Sequence, residues 1–176
     1  MKKQYTVAPV IKNEKMTVTF EDLTSEGMGV AKVEGYPLFV ADGLPGERAT
    51  IKVTKVGKSF GFARIEERLS SSPDRIPTRD VKGTRVGTMP LQNLRYSAQL
   101  AFKKNNVEQV MKRIAKMPEV EVKPTIGMEN PWGYRNKAQI PVRQKDGKLV
   151  TGFFRTNTHE LIPMENFQIQ DPKIDE

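Results

Sequence analysis

The chain has 176 residues, enough for one ordinary domain or two small ones, and its 29 basic against 21 acidic residues give a formal net charge of +8. It contains no cysteine, which excludes disulfides, thiolate metal sites and a cysteine nucleophile in this sequence. No apolar run approaches the roughly 20 residues of a membrane-spanning helix, and the first residues lack the apolar stretch of a signal peptide. We therefore expect a cytoplasmic protein.

The positive charge is concentrated in two blocks of the sequence. From Arg75 to Lys116 there are ten cations and two acids, and from Trp132 to Arg155 there are six cations and one acid. A clustered positive field predicts a polyanionic partner, and nucleic acid is the natural candidate. Many proteins carry a comparable excess of charge for solubility alone, so this alternative stays open.

Residues 15–68 follow the pattern of short β-strands separated by glycine-rich turns. Apolar residues mark five strands, two of which flank the hairpin-like turn Glu34-Gly35: Met16–Phe20, Val30–Val33, Tyr36–Val40, Ala49–Val53 and Phe60–Ile65. Five such strands predict a small closed barrel of the OB type, which we assign to residues 1–69.

The stretch 70–93 is rich in serine, proline, glycine and arginine and is interpreted as a linker. A helix is predicted within residues 94–117, because apolar residues recur there at helical spacing: Leu100, Val107, Val110, Met111 and Ile114. We expect this apolar stripe to be a core contact. The other side is expected to carry basic residues that are either solvated or in contact with RNA: Lys103, Lys104, Lys112 and Arg113.

Residues 118–176 are interpreted as part of a second, α+β domain. Asn136–Val142 and Leu149–Phe154 have strand patterns and are joined around Asp146-Gly147, a dipeptide typical of tight hairpin turns. No partner elements that would complete this sheet are evident in the sequence. The whole chain is therefore predicted to be mainly β with one long helix.

The candidate RNA contacts are cations and amides that share a face. In the strand after Trp132 and Tyr134, which we expect to brace the preceding turn, alternation places Arg135, Lys137 and Gln139 on one side. Such a stripe can follow a phosphate backbone, although a merely solvated face remains an alternative. The other candidates are cations of the same sheet, of the barrel and of the helix: Arg143, Arg155, Lys58, Arg64 and Lys103.

The barrel also carries two rings, Phe60 and Phe62, on the hairpin that holds Lys55, Lys58 and Arg64. OB-type barrels bind nucleic acid on a strand face and its bordering loops, and this hairpin offers both rings and cations for such a role. We expect one of the two rings to fill the barrel core instead.

The sequence offers no catalytic group. His159, the single histidine, lies on a polar stretch and is expected to be a hydrogen-bonded structural residue. No nucleophile–base pair, metal-ligand spacing or phosphate-binding loop stands out. We expect that this chain catalyses nothing by itself and holds neither a metal nor a cofactor.

Seven short motifs are spread along nearly the whole chain: Gly27–Ala31, Gly35–Val40, Leu44–Glu47, Ser72–Arg75, Tyr96–Lys103, Trp132–Gln139 and Gly152–Arg155. In this order they resemble the RNA uracil-5-methyltransferases of the 23S rRNA type, which begin with a TRAM domain. The segment from Trp132 to Gln139 is the most specific of them.

The resemblance implies an OB-like TRAM barrel, a central RNA-binding domain and a C-terminal catalytic domain that uses S-adenosylmethionine. In the family, the helix around Gln99 packs against that catalytic domain. The family's cysteine nucleophile, its catalytic carboxylate and its cofactor-binding glycines would all lie beyond Glu176, so none is carried over.

Many members of this family hold an iron–sulfur cluster through cysteines that precede this helix and through one in the central domain. The matching positions here are Val86-Gly87-Thr88-Met89 and the vicinity of Phe167. A cluster is excluded for this chain because its ligation needs thiolates. Apolar side chains are expected to fill the same space by packing.

Together these features lead to the hypothesis of a monomeric, RNA-recognising portion of a uracil-5-methyltransferase that acts on structured RNA. Large-subunit ribosomal RNA is favoured, because members of the family specific for transfer RNA generally lack the leading TRAM barrel. The alternative is a free-standing TRAM or OB-type RNA-binding protein, for instance an RNA chaperone. A third option is a basic β-barrel protein with a protein partner.

Overall fold

The computed structural model describes residues 7–156 and 158–175. The chain divides into two compact units. The first comprises Met1–Pro77 and Asn93–Ala98, and the second comprises Thr78–Gln92 and Gln99–Glu176. Whether the predicted domain boundaries at residues 69, 93 and 117 delimit independently folding parts stays a prediction.

The first unit is built on one six-stranded sheet with the order β1-β5-β6-β4-β3-β2. All neighbouring strands are antiparallel except β4 and β6, which run parallel. The strands are β1 Lys15–Thr19, β2 Asp22–Leu23, β3 Gly29–Val33, β4 Tyr36–Val40, β5 Arg48–Val56 and β6 Gly61–Arg68. Five of them were predicted, and β2 was missed because two residues carry no recognisable alternation.

The sheet closes into a barrel because its two outer strands are consecutive parts of one bent segment. Only Phe20 and Glu21 separate β1, which pairs with β5, from β2, which pairs with β3. The Glu21 amide extends the second pairing by donating to the Val30 carbonyl at 2.8 Å. The predicted fold class, mainly β with an OB-like barrel and one long helix, is confirmed.

The barrel core is formed by the inward side of β4 and β5. Strand alternation turns Tyr36, Leu38 and Val40 of β4 inward, and Ala49, Ile51 and Val53 of β5 meet them there, all six fully buried. The Tyr36 hydroxyl donates to the Gly57 carbonyl at 2.8 Å and accepts from the Gly57 amide at 3.1 Å, so its polar end is satisfied. Each buried aliphatic side chain contributes about 1.5–3 kcal/mol of transfer free energy.

The expectation that Phe60 or Phe62 fills this core is wrong. In β6 the inward positions are occupied by Gly61 and Ala63, so the even-numbered side chains point outward. Neither phenylalanine belongs to the core cluster, and Phe60 is 42% exposed.

The second unit contains a three-stranded antiparallel sheet in the order β7-β8-β9 and most of the long helix. Its elements are α1 Val81–Val86, α2 Tyr96–Arg113, β7 Val142–Lys145, β8 Lys148–Phe154, β9 Leu161–Pro163 and α3 Pro172–Asp175. The predicted hairpin turn is confirmed, since Asp146 and Gly147 both have the positive φ values, 51° and 77°, that a type I′ turn requires.

Two expectations about this sheet are wrong. The strand predicted from Asn136 to Val142 begins only at Val142, because residues 136–141 form no regular backbone pairing with another strand. A partner strand that the sequence did not reveal, β9, pairs with β8 and places Gly152 opposite Pro163. Three residues ending in proline give too short a pattern to be recognised as a strand.

The apolar stripe of α2 is not the core contact that we expected. No α2 residue is buried within the described chain, Val107 and Val110 are 49% and 48% exposed, and Ile114, which directly follows α2, is 75% exposed. Lys103 is exposed as well and precedes Val107 by one turn, so it lies beside this stripe rather than opposite it.

A small second core lies around β9. Ile162, Met164 and Phe167 are buried, and Val86, Ile140 and Phe153 pack against them. The rings of Phe153 and Phe167 meet edge to face with centroids 5.2 Å apart. The segment that contains Val86 and the vicinity of Phe167 therefore meet through apolar side chains, as the sequence predicted.

Candidate RNA interface

A groove in the second unit brings together the three residues of the predicted stripe. Arg135, Lys137 and Gln139 line it, and Phe153 and Gln170 complete its walls. Its volume is about 340 Å³, within the range of pockets that accept small molecules, and the groove is open to solvent. The three polar side chains are exposed, but so is that of Asn136, and Ala138 lines the same groove, so the alternation of a strand is absent here.

Backbone pairing holds the start of this groove. Arg135 forms an isolated parallel bridge with Gln170. The Arg135 amide donates to the Ile169 carbonyl at 2.9 Å, and the Arg135 carbonyl accepts from the Asp171 amide at 2.9 Å. Because the amide and the carbonyl of Arg135 are both hydrogen-bonded within the protein, its backbone is held in place while its side chain is exposed.

The far end of the same segment is fixed by packing. Ile140 packs against the second core, whereas its neighbour Gln139 is exposed. Residues between Arg135 and Ile140 are thus held at both ends, which limits the conformational entropy that a bound ligand would cost.

The cations of the groove have no acidic partner among the described residues. In that part of the chain, no carboxylate lies within 4.0 Å of the Arg135 guanidinium or of the Lys137 ammonium. Cations, a side-chain amide and a phenylalanine ring are the groups that bind phosphates and bases of unpaired RNA.

The remaining predicted contacts in this unit differ in their availability. Arg155 is bound by Glu160 through two contacts of 3.0 and 3.1 Å, so its charge is largely compensated. The Arg143 guanidinium lies 5.4 Å from the centre of the Phe154 ring and has no acidic partner among the described residues. Lys103 stands exposed on α2.

The predicted contacts Lys58 and Arg64 belong to the barrel unit. Lys58 is exposed in the turn between β5 and β6. Arg64 is paired with Glu66, with both Nε and Nη2 at 2.8 Å from Oε1. Unlike Arg64, Lys58 has no acidic partner among residues 7–156 and 158–175.

Sequence reasoning missed several residues of this region. Arg79 stacks on the indole of Trp132, 4.4 Å from the ring centre, so Trp132 braces this region as expected. Tyr134 does not, since it is 54% exposed. No local signal could identify Gln170, because it reaches the groove through pairing with a segment distant in sequence.

The described residues contain neither a candidate metal site nor a candidate membrane-spanning helix. No group of three or more His, Asp or Glu side chains within residues 7–156 and 158–175 could hold a metal ion. In that same part of the chain, no helix is long and apolar enough to cross a membrane. His159 is exposed.

Comparisons with known proteins relate both units to one kind of enzyme. Residues 9–65 match the model of the TRAM domain. The chain is 59% identical over 167 residues to an RNA methyltransferase of Enterococcus faecalis and 50% identical over 167 residues to one of Lactiplantibacillus plantarum, both described as uncharacterized. These alignments cover 95% of this chain but only 36% of each relative.

A solved structure shows the same fold. The tRNA (uracil-54, C5)-methyltransferase of Pyrococcus abyssi, crystallised with S-adenosyl-L-homocysteine, superposes with a TM-score of 0.59 over 88% of this chain and 32% of that one, at 23% identity. The resemblance predicted from the sequence is therefore confirmed: the chain carries a TRAM domain and is similar along nearly its whole length to about a third of an RNA methyltransferase.

Proposed function

We propose that this chain is the RNA-recognising part of an S-adenosylmethionine-dependent RNA uracil-5-methyltransferase, and that it works in the cytoplasm on structured RNA. The groove around Arg135, Lys137 and Gln139 carries the proposal, because its two cations have no acidic partner among the described residues. In such a groove, the cations neutralise phosphates while the amide and the ring contact a base.

The division of labour follows from what the described residues can do. They can bind and orient RNA so that a target uridine is extruded from its stack, since its reactive ring carbon must be reached outside the helix. S-adenosylmethionine supplies the methyl group when it is bound to the methyltransferase domain. Nucleotide-like cofactors are commonly held by a glycine-rich loop that leads into a helix. The segments that lead into α1 and α3 contain no glycine, and we assign none of the described residues to that cofactor.

The exposed face of α2 fits this proposal. Val107, Val110 and Ile114 present apolar side chains to solvent on one side of the helix. Exposed apolar stripes of this kind are contact surfaces for another domain or protein. We assign this one to the methyltransferase domain of the complete enzyme.

The most specific part of the proposal concerns which class of RNA is the substrate. Large-subunit ribosomal RNA is the first substrate to test. The barrel itself does not separate ribosomal from transfer RNA, because an enzyme named for transfer RNA shares the fold over 88% of this chain. A free-standing RNA-binding protein, such as an RNA chaperone, is the second candidate.

Binding of the 176-residue chain to a fluorescent RNA hairpin, measured by anisotropy at about 50 to 200 mM salt, tests the proposal. Arg135→Ala combined with Lys137→Ala should weaken binding and lower the slope of log affinity against log salt by about 0.7 for each lost single-strand contact. Arg155→Ala, which removes a cation already paired with Glu160, is the matched control. Salt-independent binding, or equal effects of both variants, would contradict the proposal.

A further inference from the structure

Three phenylalanine rings form a cluster on the outside of the barrel. Phe39 of β4 and Phe62 of β6 are in register across the parallel strand pair, and Phe60 lies just before β6. Ring centroids are 5.4 Å apart for Phe39 and Phe60, 5.7 Å for Phe60 and Phe62, and 5.9 Å for Phe39 and Phe62. Each ring therefore touches the other two.

This cluster is open to solvent. Phe39 and Phe62 are half-buried by one another, whereas Phe60 is exposed to 42% of its full surface. The barrel core does not include any of the three rings. Keeping an aromatic face in water costs hydrophobic free energy, so an exposed ring cluster on a sheet is commonly a binding surface.

Two lysines that have no acidic partner among the described residues border the rings. Lys55 pairs with Phe62 across β5 and β6 and so projects from the same side of the sheet. Lys58 is exposed in the turn that leads to Phe60. Among the described residues, neither ammonium lies within 4.0 Å of a carboxylate.

Two other outward cations of the barrel are paired with acids, Lys32 with Glu21 and Arg64 with Glu66. Lys55 and Lys58 place positive charge next to the rings, where it would meet the phosphates of a base that stacks on them. An apolar protein partner would need no such charges, which favours nucleic acid as the ligand.

We propose that Phe39, Phe60 and Phe62, with Lys55 and Lys58, form a stacking platform for unpaired bases of single-stranded RNA. The platform rests on the proposed RNA-binding function and gives the barrel a base-stacking site of its own, in addition to the groove of the second unit. Its contact with the base is sequence-tolerant, because every base offers an aromatic face. It would hold a flanking single strand while the target region is bound elsewhere.

A cycle of protein and RNA variants tests the platform. The probe is a fluorescent oligouridylate of about eight nucleotides, compared with the same chain of sugars and phosphates in which the bases are removed. Phe60→Ala should weaken binding of the oligouridylate about 5- to 150-fold, and leave binding of the abasic strand unchanged. Leu69→Ala, which trims an apolar side chain that is 46% exposed on the same unit, is the control for lost surface.

The outcomes separate the platform from the groove. Equal losses for both probes, or no loss with Phe60→Ala, would overturn the platform and indicate that the rings bind protein or only brace the sheet. If Phe60→Ala weakens binding while the Arg135 and Lys137 variant does not, the groove fails and the platform stands. Absence of any RNA binding by the unaltered chain would overturn both.

Discussion

The guanidinium of Arg75 binds the carboxylate of Glu47 through two hydrogen bonds: its Nε donates to one oxygen at 2.5 Å and its Nη2 donates to the other at 2.9 Å. Glu47 is fully buried. Arg68 also donates to it, and the amides of Leu44 and Ser72 complete its partners at 3.0 and 3.1 Å. This buried ion pair fastens the segment that leaves the barrel to the turn that precedes β5.

Removing the carboxylate should destabilise the barrel strongly. Glu47→Ala removes the buried carboxylate from Arg68 and Arg75, which keep the half-exposed carboxylate of Asp42. Breaking a buried pair costs about 3–5 kcal/mol, and the contact with Asp42 should place the loss toward the lower end of that range. Urea unfolding followed by far-UV circular dichroism measures the change. Glu67→Ala, at an exposed position of β6, is the control and should alter stability by less than about 0.5 kcal/mol. A similar effect of the two variants would show that the pair contributes no net stability.

Glu47 also predicts how stability depends on pH. Burial alone would raise the pKa of Glu47, but hydrogen bonds from Arg75, Ser72 and Leu44 outweigh it and hold that pKa below its ordinary value of 4.5. Because the folded-state pKa is depressed, the stabilisation is complete above the ordinary value and is lost as the pH falls through the folded-state pKa. Urea midpoints measured from about pH 7 to about pH 3 should decline in that acidic window. Glu47→Gln should be less stable at neutral pH and decline less steeply.

Gln139 should contribute to RNA affinity without contributing to salt dependence. Its amide is neutral, so Gln139→Ala removes hydrogen bonding worth about 0.5–1.5 kcal/mol but releases no additional counterion. Anisotropy titrations at several salt concentrations should show a uniform loss with an unchanged slope. A reduced slope would mean that the substitution displaces Arg135 or Lys137 rather than removing a contact.

The two glycines of β8 and its turn should differ in their tolerance of a side chain. A Cβ at Gly152 would lie 2.0 Å from the Ile162 carbonyl oxygen, so Gly152→Ala must push β9 away and should cost about 3 kcal/mol. Gly147 has open space around it and only a positive φ of 77°, so Gly147→Ala should cost about 1–2 kcal/mol. Thermal unfolding of both variants gives the comparison, and equal costs would refute the close approach of the two strands.

The sequence predicted those parts of the fold whose signals are local. Alternation located β4 and β5, and the positive-φ dipeptides Glu34-Gly35 and Asp146-Gly147 located two hairpins. Parts that depend on pairing with residues distant in sequence were missed or misplaced, namely β2, β9 and the irregular segment 136–141. Their short patterns acquire structure from partners that a linear reading cannot supply.

The candidate site was predictable to a similar extent. Arg135, Lys137 and Gln139 line one groove, although the strand that alternation predicted for them is absent, and their contact with RNA stays a prediction. It could not reveal that Arg155 and Arg64 are paired with Glu160 and Glu66, because charge compensation depends on side-chain geometry. For α2, helical spacing identified an apolar stripe, but spacing alone does not say whether the partner of that stripe is within the described chain.

Strand β6 joins the two halves of the barrel sheet. It lies between β5, which carries β1, and β4, which carries β3 and β2. It is also the last of the six strands to leave the ribosome, and until it does, both β4 and β5 present unpaired edges that can recruit other chains. Phe39 lies on β4 and Phe62 on β6, so the three-ring cluster assembles only when these two strands have paired, and its ring contacts are a direct reporter of that event.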